Sequence, residues 1–391
     1  MATESKPIYL DYNATTPLRP EVLEAMLPYL RECFGNASSL HAYGKQAKAA
    51  VERAREQVAD LIGCEPAEVI FTSGGTEANN LAVRGAAWAA EQRRHIVTSA
   101  VEHPSVSEPI RYLERVGFEV TRIPVDETGR INPADVAPFL RGDTLLLSVM
   151  LAQNETGALM PVPELAEMAH ARGALVHTDA AQAIGKVRVR VNELGVDLLS
   201  VAGHKLYGPK GVGALFVRRG VRIAPVLVGA GQERGLRPGT EAVALIVGLG
   251  EACSLAAQDL EQEAGRLRSL RDELLMRLRS AIPQLRVISP LKHCLPNTLN
   301  VAFPGVGGNA VLDAAPEIAA STGSACHAGS EAPSPVLTAM GLSPAEALSA
   351  VRLSLGRFTT RDEVQRAADG LIRAYRTLDR TDPSAGYKSR V

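Results

Sequence analysis

The chain has 391 residues, of which 46% are hydrophobic and 22% are charged, and its formal net charge is −1 at pH 7. This nearly neutral balance argues against nucleic acid or an anionic membrane as a partner. The five cysteines are scattered and form no CxxC pair, so we expect neither a disulfide framework nor a metal site. No signal-peptide pattern is found, and no apolar run approaches the roughly 20 residues of a membrane span. We therefore expect a soluble cytoplasmic protein.

Short apolar runs alternate with helical stretches through the middle of the chain. Strands are predicted at 68–73, 95–100, 118–125, 144–151, 174–180, 197–203 and 213–218. Helices are predicted between them, for example at 77–91 and 162–172. This alternation predicts an α/β fold with a mostly parallel sheet covered by helices on both faces. In such sheets ligands bind at the carboxyl ends of the strands.

A long helical tract at 241–283, which Pro283 ends, is interpreted as the connection into a smaller α+β domain. The other predicted elements of that domain are two strands and a final helix, at 286–289, 298–303 and 361–378. The chain is long enough for two cores. We expect a large domain over 16–260 and a small domain that combines 1–15 with 261–391.

The segment FTSGGTEANN, residues 71–80, runs from a strand through a glycine turn into a helix. Glycines let a ligand approach the backbone closely, and the free N–H groups of a helix start favour a phosphate. Gly75 and Thr76 are the candidate phosphate ligands. The alternative is an ordinary turn in which Thr76 caps the helix.

The segment HTDAAQAIGK, residues 177–186, places Asp179 at the end of an apolar strand. A carboxylate in that position needs a cationic or protonated partner, and a protonated pyridine nitrogen is one candidate. Gln182 could donate a hydrogen bond to a ring oxygen. The alternative is that Asp179 only caps the next helix.

The segment SVAGHKLYGPKGVG, residues 200–213, places His204 and Lys205 directly after a strand. A lysine held there can form a Schiff base if burial lowers its pKa. A solvated surface charge is the alternative, and it is the role expected for Lys210 in the same loop.

The segment STGSACHAGSEAPSPVL, residues 321–337, is rich in small residues and carries Cys326. Such a composition favours an exposed loop, in which a thiol can act as a nucleophile. A partly buried structural cysteine is the alternative, and it is the role expected for the other four cysteines.

The segment VRLSLGRFTT, residues 351–360, places Arg352 and Arg357 on either side of an apolar strand. An arginine fork is the usual receptor for a substrate carboxylate. For either arginine alone, a surface ion pair is the alternative.

Taken in order, these motifs resemble the cysteine desulfurase family, which consists of pyridoxal-phosphate enzymes of aminotransferase class V with fold type I. The resemblance covers nearly the whole chain. It also includes YLDYNATTP (9–17), SAVEHPSV (99–106), MLAQNETGALMPV (150–162) and GQERGLRPGTEA (231–242). It implies a large domain around a mostly parallel sheet and a smaller α+β C-terminal domain that carries the cysteine loop at about 321–335.

The resemblance also implies how pyridoxal phosphate is held. Lys205 would carry the cofactor covalently, Asp179 would pair with the ring nitrogen, His103 would stack on the ring and Gln182 would bond its phenolic oxygen. The phosphate would be bound by Gly75, Thr76 and His204. Thr240 would reach the phosphate of a neighbouring subunit, which implies a homodimer with shared active sites.

The same resemblance makes Lys205, His103 and Cys326 the catalytic residues. Asn154 and Arg352 would bind the substrate carboxylate. Cys326 would take sulfur from L-cysteine as a persulfide, release L-alanine and pass the sulfur to an acceptor protein. One departure is Ala202, where many members have a serine whose hydroxyl adds to the phosphate site.

Other functions remain open on the sequence alone. Selenocysteine lyases form a close branch, and the residue at 202, the Cys326–His327 pair and PSPVL at 333–337 resemble that branch, with L-selenocysteine as substrate. A plain class V aminotransferase would make Cys326 incidental. A sulfur-carrier scaffold without activity is the non-enzymatic alternative.

Overall fold

The computed structural model describes residues 6–322 and 332–379, in which twelve strands and twelve helices are numbered here in chain order. The strands are β1 Ile8–Tyr9, β2 Val69–Thr72, β3 His95–Ser99, β4 Glu119–Ile123, β5 Thr144–Ser148, β6 Leu175–Asp179, β7 Leu198–Ala202, β8 Gly213–Val217, β9 Arg286–Val287, β10 Thr298–Ala302, β11 Ile318–Ala319 and β12 Ala350–Ser354. The helices are α1 Pro20–Arg31, α2 Ala42–Ile62, α3 Gly75–Ala89, α4 Pro104–Arg115, α5 Pro133–Val136, α6 Val162–His170, α7 Val191–Leu194, α8 Val243–Ala281, α9 Gly308–Asp313, α10 Pro335–Ala339, α11 Pro344–Leu348 and α12 Arg361–Asp379.

A seven-stranded sheet forms the centre of the molecule, in the order β2-β8-β7-β6-β5-β3-β4. Its seven strands are those predicted from the apolar runs, and the prediction of a mostly parallel α/β fold is confirmed. Only β8 runs antiparallel to its two neighbours, β2 and β7. The segment between β7 and β8 contains a short 3-10 turn and no crossover helix, and a parallel pairing needs such a crossover.

Both faces of this sheet are covered by helices. Neighbouring residues of β3 point to opposite faces, as a strand requires: Ile96 packs with Ile110 of α4, whereas Val97 belongs to the core that includes Leu165 of α6. All four side chains are at most 1% exposed. The fully buried strands explain why the sequence showed continuous apolar runs rather than alternation.

A second core lies beyond the central sheet. It is built from the three-stranded sheet β12-β10-β9, helix α12 and the later turns of α8, with β1 paired to β11 beside it. Helix α8 deviates from helical geometry at Asp259, where φ is −130°, so its Leu249 joins the first core and its Leu274 the second. We propose that the two cores correspond to two domains that meet near residue 260.

Within the described residues, α8 is also the helix that is long and apolar enough to cross a membrane. Its best 18-residue window has a mean hydropathy of 1.4, and 44% of that window is buried. This is a weak indication, since the core helix of a soluble protein has the same length and composition, and α8 supplies side chains to both cores.

Candidate active site

A cavity of about 350 Å³ lies where the carboxyl ends of the central strands meet the second core. Its lining includes these residues predicted from the sequence: Gly75, Thr76, His103, Asn154, Asp179, Gln182, His204, Lys205 and Arg352. These residues come from separate motifs along the chain. The fold therefore brings to one place side chains that the sequence analysis selected independently.

One end of the cavity is formed by the turn between β2 and α3. Gly74 adopts a φ of +148°, which a residue with a side chain rarely adopts, and α3 begins at Gly75. A Cβ built on Gly75 would lie 3.2 Å from the Cβ of Ala202, so the turn packs closely on the end of β7. The backbone N–H groups of a first helical turn form a suitable site for a phosphate.

The carboxylate of Asp179 is held at the end of β6 and is 6% exposed. Its Oδ2 accepts a hydrogen bond of 2.8 Å from Asn79 Nδ2, and its Oδ1 accepts one of 2.9 Å from the backbone N–H of Ala181. Among the described residues it makes no salt bridge. Asp179 thus caps the following turn, which was the alternative considered from the sequence, and it also lines the cavity.

Lys205 and His204 lie in a 3-10 turn that follows β7. The Nζ of Lys205 donates to the backbone carbonyls of Asn13, at 2.6 Å, and Ala14, at 2.8 Å. Burial, together with the nearby charge of Lys205, lowers the pKa of His204 to about 4, so this imidazole is neutral at physiological pH. Lys210 is exposed and does not line the cavity.

His103 caps the amino terminus of α4 and lines the cavity. Its Nδ1 accepts a hydrogen bond of 3.1 Å from the Ser105 backbone N–H and lies 2.8 Å from Ser105 Oγ. Because Nδ1 is an acceptor, this network assigns the proton of the neutral imidazole to Nε2. Burial lowers the pKa of His103, partly offset by the charge of Asp179, so the ring can accept a proton only weakly.

Glu102 is a further acidic residue of the cavity wall. Its Oε1 accepts hydrogen bonds from Ser99 Oγ and from the Met150 backbone N–H, the latter at 2.9 Å. Its Oε2 has no hydrogen-bond partner within the described ranges. Burial raises the pKa of Glu102 to about 8, so the carboxyl group is protonated at neutral pH.

Arg352 lies on β12 and is 2% exposed. Its Nη2 forms an ion pair of 2.7 Å with Asp11 Oδ1, and its Nη1 donates to the Asn154 backbone carbonyl at 3.1 Å. Its Nε has no partner in the described part of the chain. Arg357, by contrast, pairs with Asp259 at the irregular point of α8, 2.7 Å away, and does not line the cavity.

The predicted roles of Thr240 and Cys326 stay predictions. Thr240 is exposed and does not line the cavity. Cys326, with His327, lies outside the described residues. Three other cysteines match their expected structural role: burial raises the pKa of Cys64 and Cys253 to about 12 and that of Cys294 to about 11, so these groups stay thiols.

Sequence reasoning missed Asn13, Asn79 and Glu102 as parts of the site. Asn79 bridges Asp179 and Ser105, with 2.8 Å to each. Asn13 is 1% exposed and accepts hydrogen bonds from Lys205 and Gln182 through its carbonyl oxygen. All three lie inside motifs that carried the family resemblance. The signal that could have identified them was a polar residue within the same motif as a residue already assigned to the site.

The donor set of the cavity fits pyridoxal phosphate. A buried carboxylate without a salt-bridge partner among the described residues, a lysine amine and a helix start with a closely packed glycine turn line the same space. Three of the lining residues also hold a buried polar atom without a partner in the described ranges: Asn79 Oδ1, Glu102 Oε2 and Arg352 Nε. The carboxylate, the lysine amine and the helix start match, in that order, the pyridine nitrogen, the aldehyde and the phosphate of this cofactor.

Comparison with known proteins supports this assignment. The family model described as "Aminotransferase class-V" matches residues 8–367. A cysteine desulfurase IscS of Dictyoglomus turgidum is 45% identical over 382 residues, which is 97% of each chain, and a human cysteine desulfurase is 43% identical over 97% of this chain and 84% of that protein. The solved structure of a NifS-like protein superposes with a TM-score of 0.88 at 36% identity and covers 95% of this chain and 99% of that one. The chain belongs to the class-V aminotransferase family and, within it, to the cysteine desulfurases.

Proposed function

We propose that this enzyme takes sulfur from L-cysteine, leaves it as a persulfide on Cys326 and releases L-alanine. The observation that carries the proposal is the convergence of Lys205, Asp179, His103 and Arg352 on one cavity. An amine, a buried carboxylate, an imidazole and a guanidinium would together suit a pyridoxal cofactor and an amino-acid substrate. The enzyme depends on pyridoxal phosphate, as its family does.

When bound, pyridoxal phosphate supplies an electron sink that makes the substrate Cα proton removable and weakens the bond between Cβ and sulfur. Lys205 would bind the cofactor, Asp179 would hold the proton of its ring nitrogen, and Gln182 would donate to its phenolic oxygen. Gly75, Thr76 and His204 would bind the phosphate. Since burial keeps His204 neutral, this histidine donates a hydrogen bond rather than a positive charge.

Another part of the cavity wall would orient the substrate. Arg352 already has one guanidinium edge committed to Asp11 and Asn154. That pairing fixes the side chain at the cavity, where its guanidinium and Asn154 would bind the substrate carboxylate. The amine of Lys205 would take the proton from Cα, and the neutral ring of His103, which lines the same cavity, would hold or return a proton.

The sulfur step needs a thiol at the cavity, and Cys33, Cys64, Cys253 and Cys294 do not line it. Burial also keeps Cys64, Cys253 and Cys294 protonated by raising their pKa. The Cys326 thiolate attacks the substrate sulfur, a new sulfur–sulfur bond forms and the bond between Cβ and sulfur breaks. The electron pair of that bond passes to Cβ, which gains a proton to give L-alanine. The persulfide on Cys326 then passes its outer sulfur to an acceptor protein.

We further propose a homodimer in which Thr240 reaches the phosphate site of the partner subunit. Support comes from large apolar side chains that are unusually exposed: Val228 is 94% exposed, Leu40 88% and Phe34 78%. Exposed apolar groups of this size mark protein interaction surfaces. Val228 lies twelve positions before Thr240, so one subunit interface would bury both of these residues. We place the enzyme in the cytoplasm.

The direct test is mass spectrometry of the Cys326 peptide after incubation of the loaded enzyme with L-cysteine. We expect the mass of one added sulfur on Cys326 and stoichiometric L-alanine, with neither product in Cys326→Ser. Alanine formation that persists in Cys326→Ser, or an unmodified Cys326 after turnover, would contradict the proposal. Turnover on L-selenocysteine measured alongside distinguishes a lyase, which would be active on selenocysteine and inert on cysteine.

A further inference from the structure

Lys186 is a buried lysine that the proposed reaction does not use. It is 7% exposed, and its Nζ donates to Gln182 Oε1 at 2.7 Å and to Asn13 Oδ1 at 3.3 Å. Both acceptors are uncharged, and no carboxylate of the described ranges lies within ion-pair distance of this amine. Removing an ammonium group from water without a counter-charge costs stability. Because burying this lysine lowers stability, we look for its role in the cavity that its two partners line.

Both partners of Lys186 belong to the cavity wall. Gln182 Nε2 donates to the Asn13 carbonyl at 2.9 Å, and the same carbonyl accepts from Lys205 Nζ at 2.6 Å. Lys186 is therefore connected to Lys205 through one amide and one carbonyl. The side chain of Lys186 itself does not line the cavity.

The hydrogen bond from Lys186 fixes which way the Gln182 amide points. An amide can present either its oxygen or its NH₂ group in a given direction. Rotating Gln182 by half a turn would place its NH₂ group against the Lys186 amine, where two donors face each other. With Lys186 present, Oε1 points away from the Asn13 carbonyl and Nε2 points towards it. Nε2 keeps a second N–H for a ligand in the cavity.

Charges of both signs lie near Lys186, because Glu263 and Arg357 line a small cavity together with it. Burial, followed by the positive charges of Lys205 and Arg352, lowers its pKa well below the ordinary value for lysine. His204 is a further titratable group nearby, and its own pKa is lowered by burial and then by the charges of Lys205, Lys210 and Lys186. A neutral lysine amine can both donate and accept, so in that state the rotated amide is disfavoured mainly because its oxygen would face the Asn13 carbonyl.

We propose that Lys186 is a positioning residue, which acts through Gln182 to direct an N–H group at the phenolic oxygen of the cofactor and thereby sets the proton affinity of the Lys205 nitrogen in the loaded enzyme. A donor at that oxygen disperses its negative charge, so a proton on the neighbouring nitrogen is held less tightly. This inference rests on the proposed function.

The test is a pH titration of the visible absorption of the purified chain loaded with pyridoxal phosphate. Lys186→Met removes the amine and keeps the length of the side chain. We expect the midpoint to rise by about one pH unit, which is about a tenfold gain in the proton affinity of the absorbing group. Lys210→Met, which changes an exposed lysine of the same region, is the matched control and should leave the midpoint unchanged.

A double-mutant cycle separates positioning through Gln182 from a general effect of charge. Gln182→Leu should raise the midpoint as Lys186→Met does, and the double variant should shift no further than Gln182→Leu alone. Additive shifts, or an unchanged midpoint in Lys186→Met, would overturn the inference. If Lys186→Met fails to fold, Lys186→Gln, which keeps a hydrogen-bond donor, replaces it in the same double-mutant cycle. The expected gain in proton affinity is then about threefold.

The failure of this inference can be told from that of the proposed function. A wild-type chain that takes up no pyridoxal phosphate and shows no visible band contradicts the proposed function itself. A wild-type band that titrates normally, with a midpoint that Lys186→Met leaves in place, contradicts only the role of Lys186.

Discussion

Arg55 and Lys186 are equally buried, at 7% exposed each, but they are held in opposite ways. The guanidinium of Arg55 forms two parallel hydrogen bonds with the Glu233 carboxylate, at 2.7 and 2.8 Å. Within the described part of the chain, the amine of Lys186 donates to two neutral oxygens and to no carboxylate. A fully paired buried charge fixes the fold around it. A buried amine without an acidic partner lowers stability, so its presence indicates a role in a functional site.

The Arg55–Glu233 pair holds a strained stretch of backbone. Glu233 and Arg234 have φ values of +45° and +59°, in the left-handed region that residues with side chains seldom adopt. Glu233 also accepts a hydrogen bond of 2.7 Å from the Phe71 backbone N–H on β2. A few residues later, Arg237 pairs at 3.0 Å with Glu77, in the first turn of α3. The segment that leads to Thr240 is thus tied to the glycine turn of the cavity.

Breaking the paired charge should have the largest effect. Glu233→Gln leaves the Arg55 guanidinium buried without its counter-charge, so we expect the free energy of unfolding to fall by about 3–5 kcal/mol in urea denaturation. Glu193→Gln, in an exposed pair with Arg188, is the control and should leave the midpoint of unfolding unchanged. Equal urea midpoints for Glu233→Gln and Glu193→Gln would contradict the claim that the buried ion pair stabilises the fold more than an exposed one.

The carboxyl group of Glu102 sharpens the contrast, because it is buried like Glu233 but forms no ion pair with a cation of the described residues. Its folded-state pKa is about 8, against an ordinary value of 4.5. Between these values the folded state keeps a proton that the unfolded state has lost, so wild-type stability falls as pH rises. Relative to Glu102→Gln, the wild type should lose about 1.4 kcal/mol of unfolding free energy per pH unit between about pH 5 and 7.

Urea denaturation at several pH values measures this slope. Glu91→Gln, which changes an exposed carboxyl group, should run parallel to the wild type throughout. Parallel curves for wild type and Glu102→Gln would mean that Glu102 is ionised in the fold.

The unpaired amine predicts a smaller change of opposite sign to the loss at Glu233. At neutral pH, Lys186→Met should raise the free energy of unfolding of the cofactor-free chain by about 1 kcal/mol, because a buried amine is replaced by an apolar side chain. The folded-state pKa of Lys186 is lowered, so its destabilising effect fades as pH rises towards the ordinary lysine value of 10.5. The gain should therefore shrink in alkaline urea titrations. A loss of stability at neutral pH would show that Lys186 has an acidic partner.

The smallest expected effect concerns Ala202, which lines the cavity beside Gly75. Ala202→Ser adds a hydroxyl at the proposed phosphate site, and one net hydrogen bond is worth about 1 kcal/mol, so the dissociation constant of pyridoxal phosphate should fall about fivefold. Equilibrium binding to the cofactor-free chain measures this constant. An unchanged value would mean that the other donors already satisfy the phosphate.

The sheet could be predicted from the sequence because its signal is local. Each buried strand is a short apolar run, and the Gly74 turn and the strand-end Asp179 follow directly from their motifs. The irregular point of α8 at Asp259 was not predicted, since the apolar face continues through it and the ion pair with Arg357 forms only by tertiary packing. The direction of β8 likewise depends on the missing crossover helix rather than on the strand itself.

The networks behind the cavity could not be predicted, because they join residues far apart in the chain. Arg55 and Glu233 are separated by 178 positions, and Lys186 and Asn13 by 173. Neither pair leaves a pattern in its own segment. The family resemblance supplied the residues proposed to bind the cofactor, whereas the residues that contact them from behind became visible only in the fold.

Asn13 has a consequence for how the molecule can move. Its backbone N–H bonds Ser354 Oγ at 2.9 Å and its Nδ2 bonds Thr298 Oγ1 at 2.8 Å, on strands of the second core. Its carbonyl oxygen meanwhile bonds Gln182 and Lys205, beside the first core. A wide hinge opening between the two halves would have to break this junction at Lys205, the proposed cofactor-binding lysine. We therefore expect admission of substrate and departure of alanine to rely on small adjustments at the rim of a rigid cleft.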